Sequence, residues 1–311
     1  MEKGYSVVTE ISSASTPDYN SFLFDDPQHH LLQADDWLNF YLLRKANQKI
    51  MARVSFHVKD HKAYSPMRAS FGSFNFSRDL SPLVLYQFIQ ECERHLVKKK
   101  IRSVRIIEPP LFYNSSGELL QTILFNLGYH VTDAQISSGI RIDNTAFDDK
   151  IESWEKRKLK QAKVKGLTFK KLPISELETV YKFILKCRDQ RGHSLSMTLS
   201  ELTETVNVFK SSFFLFGAYH KNELAAASIS IRVHQDILYN FYSGHLKKFD
   251  AISPVVLLIS GIYKFCGSNK IHLLDLGTSA VEGQPNFSLL DFKLRLGAIP
   301  SMKLTFEKDL V

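Results

Sequence analysis

Apolar and polar residues alternate along the first third of the chain in a way that predicts strands followed by helices. The segment KIMARVSFHV alternates with period two, and the polar turn KDHK leads into AYSPMRASFGSFNF. The next segment, SPLVLYQFIQECERHLVKKK, has helical spacing, with Ser81 as a candidate N-cap and Pro82 in the first turn. The segments SVRIIEP, SGELLQTILFNLGY and AQISSGIRI then predict a strand, a helix and a strand.

A similar order recurs in the second half of the chain. A helix is predicted first, in SELETVYKFILKCRDQRG, and then three strands, in FFLFGAYH, LAAASISIRV and ILYNFYSG. The closing helix, strand, helix and strand are PVVLLISGIYKFCGSNK, IHLLDLG, FSLLDFKLRLG and PSMKLTFEK. We therefore predict an α/β (α+β) chain of two similar domains, each a mostly antiparallel mixed sheet flanked by helices. The predicted domains are residues 1–150 and 151–311, with the junction in the charged stretch between Asp143 and Phe169.

Length and composition agree with two globular domains. The chain has 311 residues, about twice a typical domain of ~150, and 44% of its residues are hydrophobic. No apolar segment resembles a signal peptide or reaches the ~18 residues of a spanning helix, so we expect a cytoplasmic protein without a membrane span. The three cysteines, Cys92, Cys187 and Cys266, lie far apart and are expected to be buried free thiols.

The net charge of +8 favours a phosphate-bearing donor or acceptor, and tRNA is one candidate. Eight lysines or arginines fall between Lys156 and Lys171. In this segment Arg157 and Lys160 are candidate phosphate ligands, and a solvated linker helix is the alternative. The sequence does not indicate an oligomeric state.

Several other chemistries lack their motifs. No Walker loop, GxGxxG or HExxH occurs, and the neighbours Ser243, His245 and Asp250 are not set in a nucleophile elbow. His29 and His30 are adjacent and would point to different sides, which does not suit a shared metal, so no metal is expected.

Three segments resemble the FemAB-like tandem GNAT (N-acyltransferase-like) family, which is related to the peptidoglycan-bridge aminoacyltransferases. They are SPMRASFGSF in the first half, the basic run from Trp154 to Phe169, and DLGTSAVEGQPNFSLLDFKLRLGA from Asp275 to Ala298. The last segment is similar to the family's closing pattern of strand, Gly turn, helix with a Phe-Lys pair, and Gly-Ala. Each motif alone is degenerate, and their order and spacing carry the resemblance.

The resemblance implies transfer of an acyl or aminoacyl group from an activated carrier, aminoacyl-tRNA or acyl-CoA, to an amine such as that of a cell-wall precursor. Two alternatives stay open: a non-catalytic GNAT-fold binding module, and an acyl-CoA N-acyltransferase that acts on a small amine or a polysaccharide. The glycine-rich loop that binds coenzyme A in GNAT enzymes is replaced here by SGHLKKFDAISP, which keeps only Gly244. Lys247 and Lys248 could bind phosphate there as point charges.

The candidate catalytic residues are Lys293, Tyr242 and Asp275. By resemblance, Lys293 of the Phe-Lys pair lies at the transfer site and stabilises charge, whereas a helix lysine in solvent is the alternative. Tyr242 could protonate a leaving group, or it could be a sheet tyrosine with a satisfied hydroxyl. Asp275 could act as base or bind the acceptor amine, or it could cap the turn at Gly277.

The candidate substrate-binding residues lie near these three and in the first half. The strand ILYNFYSG ends where the GNAT fold splays its sheet, and strict alternation would place Asn240 and Tyr242 on one face. The full set of candidates is Asn240, Ser243, Thr278, Asn286, Phe292 and, more weakly, Arg68. For Asn286 we favour an N-cap over a ligand.

Overall fold

A computed structural model describes residues 2–12, 15–33, 36–281 and 283–310. The chain forms two compact units. Unit 1 consists of Met1–Gln135 together with Ser301–Val311, and unit 2 is Ile136–Pro300.

Unit 1 is a mixed sheet packed on one long helix. Its strands are β1 (Tyr5–Val8), β2 (Trp37–Arg44), β3 (Lys49–Lys59), β4 (Lys62–Ser65), β5 (Asn75–Phe76) and β6 (Ser103–Ile107). Its helices are α1 (Pro27–Leu31), α2 (Pro82–Lys98) and α3 (Gly117–Asn126). The strands β1 to β4 form an antiparallel meander, and β4 then pairs with β6 in parallel.

Sequence and packing explain why α2 forms where it does. The hydroxyl of Ser81 accepts a hydrogen bond from the Val84 amide at 3.3 Å, and Pro82 occupies the first turn, as predicted. The apolar face of α2 is fully buried against the sheet, where Phe88 packs in one cluster with Phe40 and Phe56.

Unit 2 repeats this order. It holds the helices α4 (Phe147–Lys150), α5 (Ser153–Val164), α6 (Leu177–Asp189), α7 (Leu199–Val208), α8 (Pro254–Ser268) and α9 (Phe287–Arg295). After β7 (His130–Arg141), which begins in unit 1, come β8 (Leu167–Leu172), β9 (Phe213–His220), β10 (Glu223–His234), β11 (Ile237–His245), β12 (Leu273–Thr278), β13 (Ala280–Val281) and β14 (Gln284–Pro285). The strands β8 to β11 are an antiparallel meander, and β11 pairs with β12 in parallel. The predicted α/β class with a repeated architecture is confirmed.

The last strand predicted for each half pairs in the other unit. The strand β15 (Ile299–Asp309) pairs antiparallel with β6 of unit 1, with Thr305 opposite Ile107. The second part of β7 pairs antiparallel with β12 of unit 2. The units therefore differ from the predicted halves 1–150 and 151–311, because the closing strands are exchanged and the predicted junction, residues 143–169, lies inside unit 2.

Among the helices of the described residues, none combines the length and the apolar character needed to cross a membrane.

Candidate functional site

The sheet of unit 2 opens between β11 and β12. These strands pair only from Ile237 to Tyr239 on one side and from Leu273 to Asp275 on the other. Beyond Tyr239, β11 continues along β10 alone as far as His245. One extra residue lies in β11 between Tyr239 and Tyr242, opposite Ile229–Ile231, and forms a bulge that bends the strand. The opening is at the place where the sequence resemblance predicts a splayed sheet.

A cavity of about 820 Å³ lies at this opening, within unit 2. Its walls are the free part of β11, the first turns of α8, the end of β12, one face of α9, Lys158 of α5, and the end of α6 with the loop after it. This volume is typical of a small-molecule site. Of the predicted site residues, the cavity lining includes Asn240, Ser243, Thr278, Asn286, Phe292 and Lys293.

Lys293 is the buried cation of the cavity. Its side chain comes from α9, is only 6% exposed, and donates hydrogen bonds from Nζ to the carbonyl oxygens of Gly277 at 2.8 Å and Thr278 at 2.9 Å. Burial lowers the pKa of Lys293 to about 8, and the nearby carboxylate of Asp275 acts in the opposite direction. The lysine is thus mostly protonated at neutral pH, with two of its three N–H donors used.

The turn after Asp275 aims these carbonyls. Gly277 has φ +75°, a conformation that favours glycine, and its amide donates to Oδ1 of Asp275 at 2.7 Å. The same oxygen accepts from the hydroxyl of Ser137 at 3.0 Å, and Asp275 is 2% exposed. Asp275 thus caps the turn and lies outside the cavity lining.

Tyr242 is buried away from the cavity. Its hydroxyl accepts a hydrogen bond from the Met197 amide at 3.0 Å and shares one with the Ser196 hydroxyl at 2.6 Å. Burial raises the pKa of Tyr242. The expectation that Asn240 and Tyr242 share a face fails, since only Asn240 lines the cavity; the bulge between Tyr239 and Tyr242 interrupts the strict alternation.

The remaining candidates at the opening have defined roles in the structure. The side-chain oxygen of Asn240 accepts from the Ser228 hydroxyl at 2.5 Å. Asn286 is the N-cap of α9, as favoured from the sequence, and its Oδ1 accepts from the Leu289 amide at 3.0 Å. Phe292 is half-buried and packs against the core of unit 2.

The four predicted phosphate ligands all lie outside the cavity lining. Nζ of Lys247 donates to the carbonyl of Gln190 at 3.2 Å, and Nζ of Lys248 forms an ion pair with Glu223 at 2.5 Å. On α5, Arg157 and Lys160 are exposed, and the Arg157 guanidinium lies 5.1 Å from the centre of the Trp154 ring.

One neighbour of these residues on α5 does reach the cavity. Nζ of Lys158 lies 3.1 Å from Oε1 of the fully buried Glu155. Arg68 is an exposed residue of unit 1, in the bend after the cis peptide bond between Ser65 and Pro66.

Sequence reasoning missed the arginines at the end of α6. Arg188 lines the cavity, and its Nε has no hydrogen-bond partner among the described residues. Arg191 donates from Nη1 to the carbonyls of Cys187 at 2.9 Å and His245 at 3.0 Å. Two arginines three residues apart before a glycine, in CRDQRG, were the available signal.

His245 and Asp250 were set aside in the sequence, yet they meet at the edge of the cavity. Nε2 of His245 lies 3.0 Å from Oδ1 of Asp250 and 3.0 Å from Nη2 of Arg191. Burial and the charge of Arg191 lower the pKa of His245. This cluster gives the cavity edge a fixed set of polar groups.

No group of three or more metal-ligating side chains is present within residues 2–12, 15–33, 36–281 and 283–310.

Comparison with known proteins identifies the fold. No protein-family model matches the sequence, and no curated protein is significantly similar to it. Among solved structures, FemX matches with a TM-score of 0.71 at 12% identity, over 94% of this chain and 93% of that one. A tandem GNAT protein from the clavulanic acid biosynthesis pathway matches with a TM-score of 0.53 at 10% identity, over 88% and 83% of the chains.

A third match is the C-terminal domain of a putative lysylphosphatidylglycerol synthetase from Agrobacterium fabrum. Its TM-score is 0.55 at 10% identity, over 86% of this chain and 84% of that one. The chain therefore has the tandem GNAT fold seen in FemX, as the resemblance predicted.

Proposed function

We propose that unit 2 transfers an acyl or aminoacyl group from an activated carrier to an amine. The observation that carries the proposal is Lys293, a buried and protonated lysine held by two carbonyls at the opening of the sheet. A cation fixed in a partly enclosed site stabilises negative charge far better than one in water. The fold shared with FemX and with a tandem GNAT protein agrees with this chemistry.

The cavity offers three sets of groups that suit this reaction. When the amine attacks the carbonyl carbon, the carbonyl oxygen becomes an oxyanion, and the third N–H of Lys293 is available to it. The stretch of β11 from Asn240 to His245, which β12 does not pair, adds backbone polar groups at the same opening. Arg188 and Arg191 supply positive charge for an anionic carrier.

Two of the sequence candidates act indirectly in this proposal. Asp275 positions Gly277 and Thr278, whose carbonyls hold Lys293. The hydroxyl of Tyr242 is engaged by Ser196 and Met197, so Tyr242 positions β11 instead of delivering a proton.

A panel of donors tests the proposal. Acetyl-CoA, octanoyl-CoA and alanyl-tRNA are each incubated with the protein and a set of amines that includes a cell-wall precursor, and amide formation and donor deacylation are followed by mass spectrometry. The variants are Lys293→Met and, as a matched control, Lys264→Met, which removes an exposed lysine of α8. We expect turnover of one donor class to fall by a factor of about 100 or more in Lys293→Met, as for the loss of one oxyanion donor, and to persist in Lys264→Met.

Undiminished turnover in Lys293→Met contradicts the assignment. The second candidate function, a non-catalytic binding module, is favoured by Lys247 and Lys248, which are already engaged where coenzyme A enzymes bind pyrophosphate. It would show as binding of a donor without turnover, unchanged in Lys293→Met.

A further inference from the structure

The face of α9 that carries Lys293 is otherwise apolar where it lines the cavity. On α9, Leu289, Phe292 and Leu296 lie three or four residues from one another and line the cavity beside Lys293. Leu276 of β12 lines the same region. The lysine is therefore the polar exception on an apolar helix face.

The first turns of α8 provide a second apolar wall. Val255, Leu258 and Ile259 have the spacing of one helix face, and all three line the cavity. An apolar chain placed between these walls would be removed from water, which favours binding in proportion to the apolar area that is buried.

The charges of the cavity are unfavourable for a donor that carries an ammonium group. Its lining includes four cationic side chains, those of Lys158, Arg188, Arg191 and Lys293, whereas Asp250 is the one carboxylate in its described lining. The carboxylate of Asp250 is at the edge, 3.0 Å from His245.

An aminoacyl group brings its α-ammonium next to the reacting carbonyl, and thus next to Lys293. The carboxylate of Asp275 raises the pKa of Lys293, but Asp275 is buried and already accepts from Ser137 and Gly277. Two ammonium groups in one enclosed site repel each other.

We propose that the transferred group is an uncharged aliphatic acyl chain of several carbons, carried as a thioester of phosphopantetheine. This inference rests on the proposed function and narrows it. The amine nitrogen forms a bond with the thioester carbonyl carbon, the carbon–sulfur bond breaks, and the sulfur leaves with the proton that the amine gives up, so the products are an amide and a free thiol. The acyl chain lies between α8 and α9, and the phosphate of the carrier lies towards Arg188 and Arg191.

Calorimetric titration tests the chain and its charge. The ligands are acetyl-CoA, octanoyl-CoA and 2-aminooctanoyl-CoA, the last of which adds only an α-ammonium to the octanoyl chain. We expect octanoyl-CoA to bind at least tenfold more tightly than acetyl-CoA, since part of six methylenes is buried, and 2-aminooctanoyl-CoA to lose about tenfold or more relative to octanoyl-CoA. The thioester could come from coenzyme A or from a phosphopantetheinyl carrier protein. A parallel titration with octanoyl attached to such a carrier protein distinguishes these two sources, and binding of octanoyl on either carrier agrees with the proposal.

A substitution within the apolar wall locates the chain. Leu289→Trp fills the space between α8 and α9, so it should weaken octanoyl-CoA at least tenfold and leave acetyl-CoA within about threefold. Phe287→Trp, at an exposed position of the same helix, should change neither.

Any of three binding results would overturn the inference: equal affinity for acetyl and octanoyl thioesters, tighter binding of the 2-amino compound, or the absence of octanoyl binding in both carrier arms. Turnover of alanyl-tRNA that is lost in Lys293→Met would also overturn it while leaving the proposed function intact. The proposed function itself fails if no donor is turned over or if turnover does not depend on Lys293.

Discussion

The two units share one order of elements but differ at the same point of the sheet. In unit 2 the parallel pair β11 and β12 separates and leaves a cavity. In unit 1 the parallel pair β4 and β6 ends at Ser65 and Ile106, and the chain then turns back so that the Gly72 amide donates to the carbonyl of Ile107 at 2.9 Å. The rings of Phe22, Phe24, Phe71 and Tyr113 pack together beyond that point.

The helices that follow differ in one decisive position. Four residues before the glycine that ends the helix, unit 1 has Leu124, which is fully buried in its apolar core. Unit 2 has Lys293 at the corresponding place, four residues before Gly297. The same architecture can therefore hold either a closed core or a charged cavity here, and a few side chains decide between them.

Exchanging these two side chains should have the largest effect. Leu124→Lys buries an ammonium in an apolar core without the two carbonyls that hold Lys293, so we expect a loss of about 4 kcal/mol or more in the free energy of unfolding. Lys293→Leu removes a buried charge and should be neutral or stabilising. Urea denaturation measures both, with Thr122→Lys on the exposed side of α3 as control. A well-tolerated Leu124→Lys would show that unit 1 can also open.

A substitution in the aromatic cluster of unit 1 should have the second-largest effect on the free energy of unfolding. Phe71 is 3% exposed, and its ring centre lies 4.9 Å from that of Phe24 and 5.2 Å from that of Phe22. Phe71→Ala should lower the free energy of unfolding by about 3–5 kcal/mol and leave ligand affinity of the unit 2 cavity unchanged. Chemical denaturation and calorimetry check the two parts, and Phe287→Ala, at an exposed phenylalanine, is the control. A change in ligand affinity would contradict the separation of roles.

Each unit also contains a buried ionisable group with a strongly shifted pKa, and the two should respond to pH in opposite directions. In unit 1, burial raises the pKa of Glu108 to about 8, while its hydrogen bond from Gln121 opposes this. The folded state then holds a proton that the unfolded state has lost, so stability should fall by about 2.5 kcal/mol between pH 5 and 7. The difference in unfolding free energy between the protein and Glu108→Gln isolates this contribution.

For Lys293 the sign is reversed. Its pKa of about 8 lies below the usual 10.5, so between these values the unfolded state binds more protons and stability rises with pH. Relative to Lys293→Met, the protein should gain about 2 kcal/mol between pH 8 and 10. A flat difference over this range would mean that Lys293 is not buried as the structure shows.

The smallest expected effect concerns the basic helix of unit 2. Lys158 lines the cavity, whereas Lys160 is exposed two residues further on. Lys158→Ala should weaken binding of inorganic pyrophosphate about threefold to tenfold, and Lys160→Ala should leave it unchanged at 0.15 M salt, where exposed charges are screened over about 8 Å. Equal effects of the two substitutions, measured by calorimetry, would place the anion on the outer face of α5.

Local patterns in the sequence predicted most of the fold. The order of strands and helices, the cap of α2 at Ser81 and the cap of α9 at Asn286 follow from spacing and from turn chemistry. The helix α7 was not predicted, although Thr198 and Glu201 form a capping box that the sequence displays. The exchange of closing strands depends on long-range pairing, which local patterns do not encode.

The candidate site was predictable only in part. Lys293 and Thr278 were found through the closing motif, and both are at the cavity. Arg188 and Arg191 were missed because basic residues at or just beyond the end of a helix usually compensate its dipole. On α5, the choice between Lys158 and its neighbours depends on which side of the helix packs against the rest of unit 2, and this is a tertiary property.

The closing strand β15 has a consequence for synthesis on the ribosome. Residues 136–300 of unit 2 are contiguous, so this unit can fold as soon as they have emerged. Unit 1 must wait for residues 301–309, although its other strands were made first, because until then β6 has an unpaired edge opposite the position of β15. The part of the protein that is translated first is therefore completed last, and a nascent chain stalled before residue 301 would expose a strand edge that chaperones or other chains can bind.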